Sequence, residues 1–285
     1  MNEEVVFVKV YMCSDLHGNG ELFDQVLNFI DDSDTPVQIY FLGDAADRGR
    51  DGYRIMKWML ANPDVFVYIK GNHEDLFVRS AEEFLNMCKE EGYKPWELAE
   101  RFNYSAPMIM DYGIDMRLHY QNGGASTFEA WLKDGCPTKI IRQLKALPIW
   151  KRIGVSHCDK DIVIYDMCHA GCLEQEWINK QEDALLWDRN HFFQKWNHKD
   201  EEGEPQHILV HGHTAVKRLP AFLLKEAGAR NSTWKPCLYS EGTKMCLDTR
   251  TIETEVFTLV ELQTHEMVHF ATETSTFASV LNSLN

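Results

Sequence analysis

Long apolar runs are missing from this sequence. The longest unbroken hydrophobic stretch, Val65 to Ile69, is five residues, far short of the roughly 20 that a membrane-spanning helix needs. Positive charge is also scarce: 29 Lys and Arg stand against 44 Asp and Glu, a net of −15. That balance argues against a surface built to coat nucleic acid or an anionic membrane. Cysteine is sparse, eight residues at positions 13, 88, 136, 158, 168, 172, 237 and 246, with no repeated pairing. A disulfide scaffold is thereby excluded, and the thiols read as reduced. Low-complexity tracts and internal repeats are absent. The opening Met1-Asn2-Glu3-Glu4 is acidic and runs straight into a strand-like stretch, unlike a secretory leader. A soluble, cytoplasmic protein is expected. What remains is a chain of 285 residues, 44% hydrophobic, large enough to bury one sizeable core.

The first 75 residues have a clear rhythm. Val5 to Cys13 is β-branched and aromatic and ends at Ser14-Asp15. Glu21 to Ile30 carries apolar residues at 22, 23, 26, 27 and 30, a helical period. Val37 to Leu42 reads as a second strand, Tyr53 to Leu60 as a second helix, and Val65 to Ile69 as a third strand. Strand, helix, strand, helix, strand predicts a parallel sheet covered by helices. From Glu74 to about Leu147 the strand signal stops. Helices are predicted at Leu76–Cys88, Trp96–Phe102, Phe128–Leu132 and Ile140–Leu147, a helical insertion (about 76–147) within one α/β domain spanning 1–285. Strands return at Trp150–Val155, Ile162–Met167 and His207–Val210. Further runs near Lys244–Leu247, Glu255–Leu262 and Met267–Thr272 suggest antiparallel strands completing a second sheet. Asn197 to Gly203 is polar and reads as a surface loop.

Each early strand ends in a polar cluster: Ser14-Asp15-Leu16-His17-Gly18-Asn19, Gly43-Asp44-Ala45-Ala46-Asp47-Arg48-Gly49 and Gly71-Asn72-His73-Glu74. They recur at the spacing of one strand plus one crossover helix, so they should emerge along one sheet edge, where open α/β sheets place ligands. Two later strands lead likewise into His169-Ala170-Gly171 and His211-Gly212-His213-Thr214. Asp15, His17, Asp44, Asn72, His169 and His211 are therefore candidate metal ligands. Mixed nitrogen and oxygen donors suit manganese, iron or zinc better than calcium, and a carboxylate serving two ions is the usual layout of a two-metal hydrolytic site.

These five motifs, in order across residues 15 to 214, resemble the phosphoprotein phosphatase family of metallophosphoesterases, its compact bacterial and phage-type serine/threonine phosphatases most of all. The resemblance implies a two-sheet metallophosphoesterase sandwich and two divalent cations, manganese first, with iron, zinc, nickel or magnesium as alternatives. By the same resemblance Asp15, His17 and Asp44 hold the first cation, and Asp44 bridges to a second held by Asn72, His169 and His211. His73 is then the general acid, Asp47 orients its imidazole, and Arg48 grips the phosphate. Leu186-Trp187-Asp188-Arg189 matches the run that carries a second phosphate-binding arginine, so Arg189 takes that role. The implied substrate is a phosphorylated protein or peptide, with small phosphate esters or nucleotides as alternatives. No stable nucleic-acid or membrane partner is implied, and the oligomeric state is left open.

The sequence departs from the family pattern in places. Ser14 replaces the usual first glycine and Ala170 a second glycine, both small residues. Ser105-Ala106-Pro107 matches a C-terminal motif of eukaryotic members by coincidence, since it precedes His169. Taken singly, Asp15, Asp44 and Asn72 could merely cap turns; five motifs in register make that reading weak. His213 is read as a neighbour orienting a ligand rather than as a ligand itself. His119, His157, His191, His198, His207, His265 and His269 are read as surface or core histidines. Cys168 and Cys172, on either side of His169, read as packing. Two rivals remain: a dinucleoside tetraphosphate hydrolase or nucleotide phosphodiesterase with the same site, and a non-catalytic scaffold that binds phosphorylated partners.

Overall fold

The computed structural model describes residues 8–156, 162–198, 205–228 and 235–275. Two five-stranded sheets face each other. The first is built from β1 (Lys9–Cys13), β2 (Val37–Phe41), β3 (Phe66–Tyr68), β9 (Val256–Glu261) and β10 (Met267–Ala271), in the order β10-β9-β1-β2-β3. The second comprises β4 (Trp150–Ser156), β5 (Ile162–Cys168), β6 (Gln206–His211), β7 (Cys237–Tyr239) and β8 (Lys244–Cys246), in the order β4-β5-β6-β8-β7. The predicted βαβαβ unit is present: β1 pairs parallel with β2, and β2 with β3, through helices α1 (Gly20–Asp31) and α2 (Gly52–Ala61).

Alternation along the strands sorts the core into two layers. Met12, Tyr40 and Leu42 face the second sheet, where Tyr165, Met167, Ile208 and Val210 meet them. Tyr11, Cys13, Ile39 and Phe41 face the other way, into a helical layer. There α1 presents Leu22, Phe23 and Val26. Its start is set by Asn19, whose side chain accepts from the Leu22 N–H at 3.1 Å, satisfying one of the helix's unpaired first-turn donors. The same cluster continues into the insertion, through Phe77 and Phe84 of α3 (Asn72–Glu90) to Phe128 and Trp131.

The insertion contains two more α-helices than its sequence suggests. Besides α4 (Pro95–Arg101), α7 (Ala125–Lys133) and α8 (Thr138–Lys145), the chain forms α5 (Ala106–Ile109) and α6 (Ile114–Gln121). Ile114 and Leu118 of α6 are exposed while Met116 and His119 are buried, so most of its apolar residues lie off its inner face. Short helices α9 (Glu174–Asn179) and α10 (Glu182–Trp187) also went unread. The C-terminal strands correct another expectation. β8 does join the second sheet, but parallel to β6; β9 and β10 instead extend the first, β9 running antiparallel beside β1. Val260 on β9 packs in the layer between the sheets, and Phe257 and Leu259 pack among the helices, so this strand needs apolar neighbours on both faces. The loop expected at 197–203 and the first part of the strand expected from Val5 fall largely outside the described residues. Seven of the described cysteines are free and buried. No helix among the described residues is long and apolar enough to cross a membrane.

Candidate functional site

The polar clusters after β1, β2, β3, β5 and β6 meet at one end of the sandwich. Their backbone is unusual: Asp15, His17, Asp44, Asp47, Arg48 and His213 all have φ between 49° and 67°. Non-glycine residues avoid this left-handed region, and such strain gathers at functional sites. Close backbone approach accompanies it. A Cβ on Gly43 (φ 84°) would lie 2.4 Å from the Gly71 Cα, so only glycine lets these two loops touch.

Glu74 locks the loops in place. One carboxylate oxygen accepts from the N–H groups of Asp44 and Gly71 (2.8 Å each), and the other from Ala45 and Ala46 (2.9 and 3.2 Å). The side chain is fully buried, so four backbone donors that could not reach water find their partner here.

Asp44 lies at the centre of the cluster. Its Oδ2 is 3.7 Å from His17 Nε2 and 3.8 Å from His73 Nε2, while Oδ1 is 3.3 Å from His169 Nε2. The two oxygens thus face two different donor groups. His17, Asp44 and His73 form one set with ligand atoms within 4.8 Å of each other; Asp44, His169 and His213 form a second. Asp15 Oδ1 is 3.8 Å from His17 Nε2. Asn72 Oδ1 lies 2.9 Å from both His169 Nε2 and His213 Nδ1.

The histidines are oriented by backbone carbonyls. His169 donates from Nδ1 to the Leu42 carbonyl at 2.6 Å, and His17 from Nδ1 to the Ala46 carbonyl at 3.3 Å. Each bond leaves Nε2 turned inward, the usual way a ligating imidazole is fixed. Burial lowers the His17 pKa to about 3 and that of His213 to about 2, so both rings are neutral at neutral pH and each keeps one unprotonated nitrogen. Burial would also lower His169, but Asp44 raises it to about 10. For Asp44 burial is likewise opposed, here by His169 and His73, which hold it well below the ordinary carboxylate value. Asp15 is pushed well up by burial and by the neighbouring Asp248 and Asp44. Buried acids this close repel one another, and His213 Nε2 is buried with no hydrogen-bond partner. Both features fit cations between the two donor sets.

Beside the cluster, His73 donates from Nδ1 to Asp47 Oδ2 at 2.8 Å. Burial disfavours a protonated His73, yet Asp44 and Asp47 raise its pKa above the ordinary value. Arg48 reaches in from the same loop and donates from Nη1 to Nε2 of His17 at 2.8 Å, while its Nη2 lies 3.0 Å from Nε2 of His73. Arg189 donates to Thr214 Oγ1 at 2.9 Å. It shares with Arg48, Arg218, Arg250, His17 and His213 a cavity of about 290 Å³.

Asp15, His17, Asp44, Asn72 and His169 are therefore brought together, with His73, Asp47, Arg48 and Arg189 around them. His211 is the exception: it was expected among the ligands, but both of its ring nitrogens are engaged away from the two donor sets. Its Nε2 pairs with the Tyr239 hydroxyl at 2.8 Å and its Nδ1 with the Gly212 carbonyl at 3.0 Å. The reason is alternation on β6: Ile208 and Val210 face the opposite sheet, so Leu209 and His211 point outward. His213, two residues on and past the strand end, takes the place among the donors. A second omission is His119 on α6, fully buried with Nε2 3.0 Å from both oxygens of Asp47. No motif marked it.

The family profile described as calcineurin-like phosphoesterase matches residues 8–239. No curated protein matches the chain. Among solved structures, a protein proposed to be a diadenosine tetraphosphatase is 13% identical, covers 93% of this chain and 94% of its own, and has a TM-score of 0.50. A cold-active protein tyrosine phosphatase is 13% identical, covering 94% and 78%, also with a TM-score of 0.50. A serine/threonine phosphatase from Saccharomyces cerevisiae is 15% identical, covering 95% and 82%, at 0.45. At these identities the likeness is one of fold alone.

Proposed function

The chain belongs to the calcineurin-like phosphoesterase family, a family of metal-dependent phosphoester hydrolases, and from that premise we propose that it hydrolyses phosphomonoesters, chiefly phosphoserine and phosphothreonine in proteins. The observation that carries the reading is the His73–Asp47 pair, joined at 2.8 Å and set beside Asp44. In this reading Asp15, His17 and Asp44 would hold one divalent cation, and Asp44, Asn72, His169 and His213 a second, manganese being the first choice. When bound, the cations offset the charge of the phosphate dianion and lower the pKa of water.

The remaining work falls to the protein's own side chains. Arg48 and Arg189 line the cavity and present planar guanidiniums, each able to hold two phosphate oxygens at once. They orient the phosphorus for in-line attack. Asp47 accepts the His73 Nδ1–H and so turns Nε2, with its proton, toward the leaving oxygen. A serine or threonine alkoxide leaves poorly, so proton donation there should contribute roughly 10²- to 10⁴-fold. His73→Ala should therefore slow hydrolysis of a phosphoserine peptide by about that factor, and of p-nitrophenyl phosphate, whose leaving group needs no proton, by less than about tenfold. Equal losses on both substrates would refute the assignment.

One feature favours a second reading. Four arginines line the cavity, Arg48, Arg189, Arg218 and Arg250, more than a single phosphate requires, and a dinucleoside tetraphosphate would engage them all. Rates on phosphopeptides and on diadenosine tetraphosphate, measured with and without manganese, separate the two. No turnover of either with any divalent cation would leave only a phosphate-binding scaffold.

A further inference from the structure

The helical insertion supplies none of the candidate ligands, yet one of its turns grips the loop that carries Asp47. His119 places Nε2 3.0 Å from Oδ1 and 3.0 Å from Oδ2 of Asp47. Three more bonds come from the turn that follows α6 and from the start of α7. The Gly123 carbonyl accepts from the Arg48 N–H at 2.9 Å. Thr127 Oγ1 accepts from the Asp47 N–H at 3.0 Å, and Ser126 Oγ donates to the Gly49 carbonyl at 2.6 Å. Asp47 and Arg48 both have left-handed backbone, at φ 67° and 65°, which persists only where surrounding contacts over-determine it.

His119 itself is closely confined. A Cβ on Gly124 would lie 2.1 to 2.5 Å from three of its ring atoms, so the turn is shaped around the imidazole. Its Nδ1 is buried without a hydrogen-bond partner, which is rare for a buried polar group. The ring is held for what its other nitrogen does. Nε2–H shared between both Asp47 oxygens fixes the plane of that carboxylate, and the plane decides where Asp47 Oδ2 meets the His73 Nδ1–H.

We propose that His119 is a positioning residue for the general acid, so that the insertion builds part of the active site. The inference rests on the reading of His73 as that acid. As a water oxygen bonds to phosphorus and the bond from phosphorus to the leaving oxygen breaks, that leaving oxygen takes the Nε2 proton, while Nδ1–H stays bonded to Asp47. With Asp47 free to swivel, the proton is misdirected, and substrates with poor leaving groups suffer most.

His119 also touches the rings of Phe77 and Phe128, so a packing role has to be separated from a positioning one. His119→Phe keeps a ring of similar size and removes the N–H; His119→Gln restores an N–H donor at a similar reach. With manganese-loaded protein, His119→Phe should lower kcat on a phosphoserine peptide about 10- to 100-fold with little change in KM, and leave p-nitrophenyl phosphate within about threefold. His119→Gln should recover most of the loss. A folded His119→Phe variant with the wild-type ratio of the two rates would overturn the proposal. Should that variant not fold, ¹⁵N spectra of the wild-type holoenzyme decide: His119 should carry a proton on Nε2, and a ring protonated on Nδ1 alone would overturn it. If His73→Ala slows both substrates equally, the premise fails; if His73→Ala is selective and His119→Phe is not, only the present inference falls.

Discussion

Exchanging the roles of His211 and His213 gives the structure its most direct test. Both follow Val210 within three residues, and sequence alone does not decide between them. In the structure His213 has Nδ1 2.9 Å from Asn72 Oδ1 and a buried, unpartnered Nε2, and it belongs to the donor set with Asp44 and His169. His211 has both nitrogens engaged elsewhere. Removing an outer partner of a metal ligand typically costs 10- to 100-fold in affinity, so removing a donor should cost at least about 100-fold, or about 2.7 kcal/mol. His213→Ala should then retain about one manganese per chain at a concentration that gives two in the wild type. His211→Phe should keep both cations. Its effect falls on stability, because the buried Tyr239 hydroxyl loses its partner, at about 1–3 kcal/mol and a few degrees of Tm. Equilibrium dialysis with elemental analysis reads the metal count, and urea unfolding reads the stability. A His211→Phe protein that loses a cation while His213→Ala keeps two would show this assignment of the histidines to be wrong.

Three further predictions follow from other contacts. Glu74→Gln turns an amide N–H₂ toward backbone donors that a carboxylate now accepts; a loss of about 3 kcal/mol or more is expected in urea unfolding, and an unchanged midpoint would exclude the locking role. Burial lowers the Lys244 pKa from 10.5 to about 8, so folding releases its proton between those values; the cost, about 3 kcal/mol below pH 8, should fade as pH rises to 10.5, and Lys244→Met should flatten that rise in the urea midpoint. Chelation should lower the wild-type Tm by about 10 °C at cation concentrations near 100 times Kd for both sites, from about 2.7 kcal/mol per site. Asp44→Asn, which alters the carboxylate facing both sets, should lose most of that difference in a calorimetric scan, and a variant that keeps it would refute the shared role of Asp44.

The parts of the molecule legible in its sequence are those where local pattern and tertiary demand coincide. The strands ending at Cys13 and Phe41 announce themselves because both faces are buried, and the loops after them because a turn with left-handed backbone favours Gly, Asp and Asn. His211 and His213 are hard to tell apart in the sequence because a His-x-His pair carries two registers, and only the alternation of Ile208 and Val210 toward the opposite sheet separates them. His119 was invisible for a different reason. Its helix exposes Ile114 and Leu118 and buries a histidine, so the apolar period that identifies helices points to the wrong face. Glu74 lay inside a recognised motif, but its task, accepting four backbone N–H groups, depends on loops that meet only in three dimensions. The placement of β9 and β10 was hidden because an apolar strand fits either sheet; pairing with β1 is a long-range choice.

The donor set divides between the two sheets, and this ties chemistry to packing. Asp15, His17, Asp44 and Asn72 follow strands of the first sheet, His169 and His213 strands of the second. Their meeting point is Asn72 Oδ1, 2.9 Å from a nitrogen of each second-sheet histidine. Hydrogen bonds cross that seam: the His169 Nδ1–H to the Leu42 carbonyl (2.6 Å), the His213 N–H to Asp15 Oδ2 (3.0 Å) and the Lys70 N–H to the Pro148 carbonyl (2.8 Å). The apolar layer between the sheets fixes the separation too, where Met12, Leu42 and Ile69 lie against Met167, Val210 and Leu247 with almost no exposure. Close-packed interiors transmit displacement rather than absorb it, so a sub-ångström slide of one sheet on the other would change every distance across the seam while leaving those within each sheet intact. Side chains that touch neither substrate nor cation therefore help set the geometry of the second donor set, and the His213 N–H on Asp15 carries that coupling to the first.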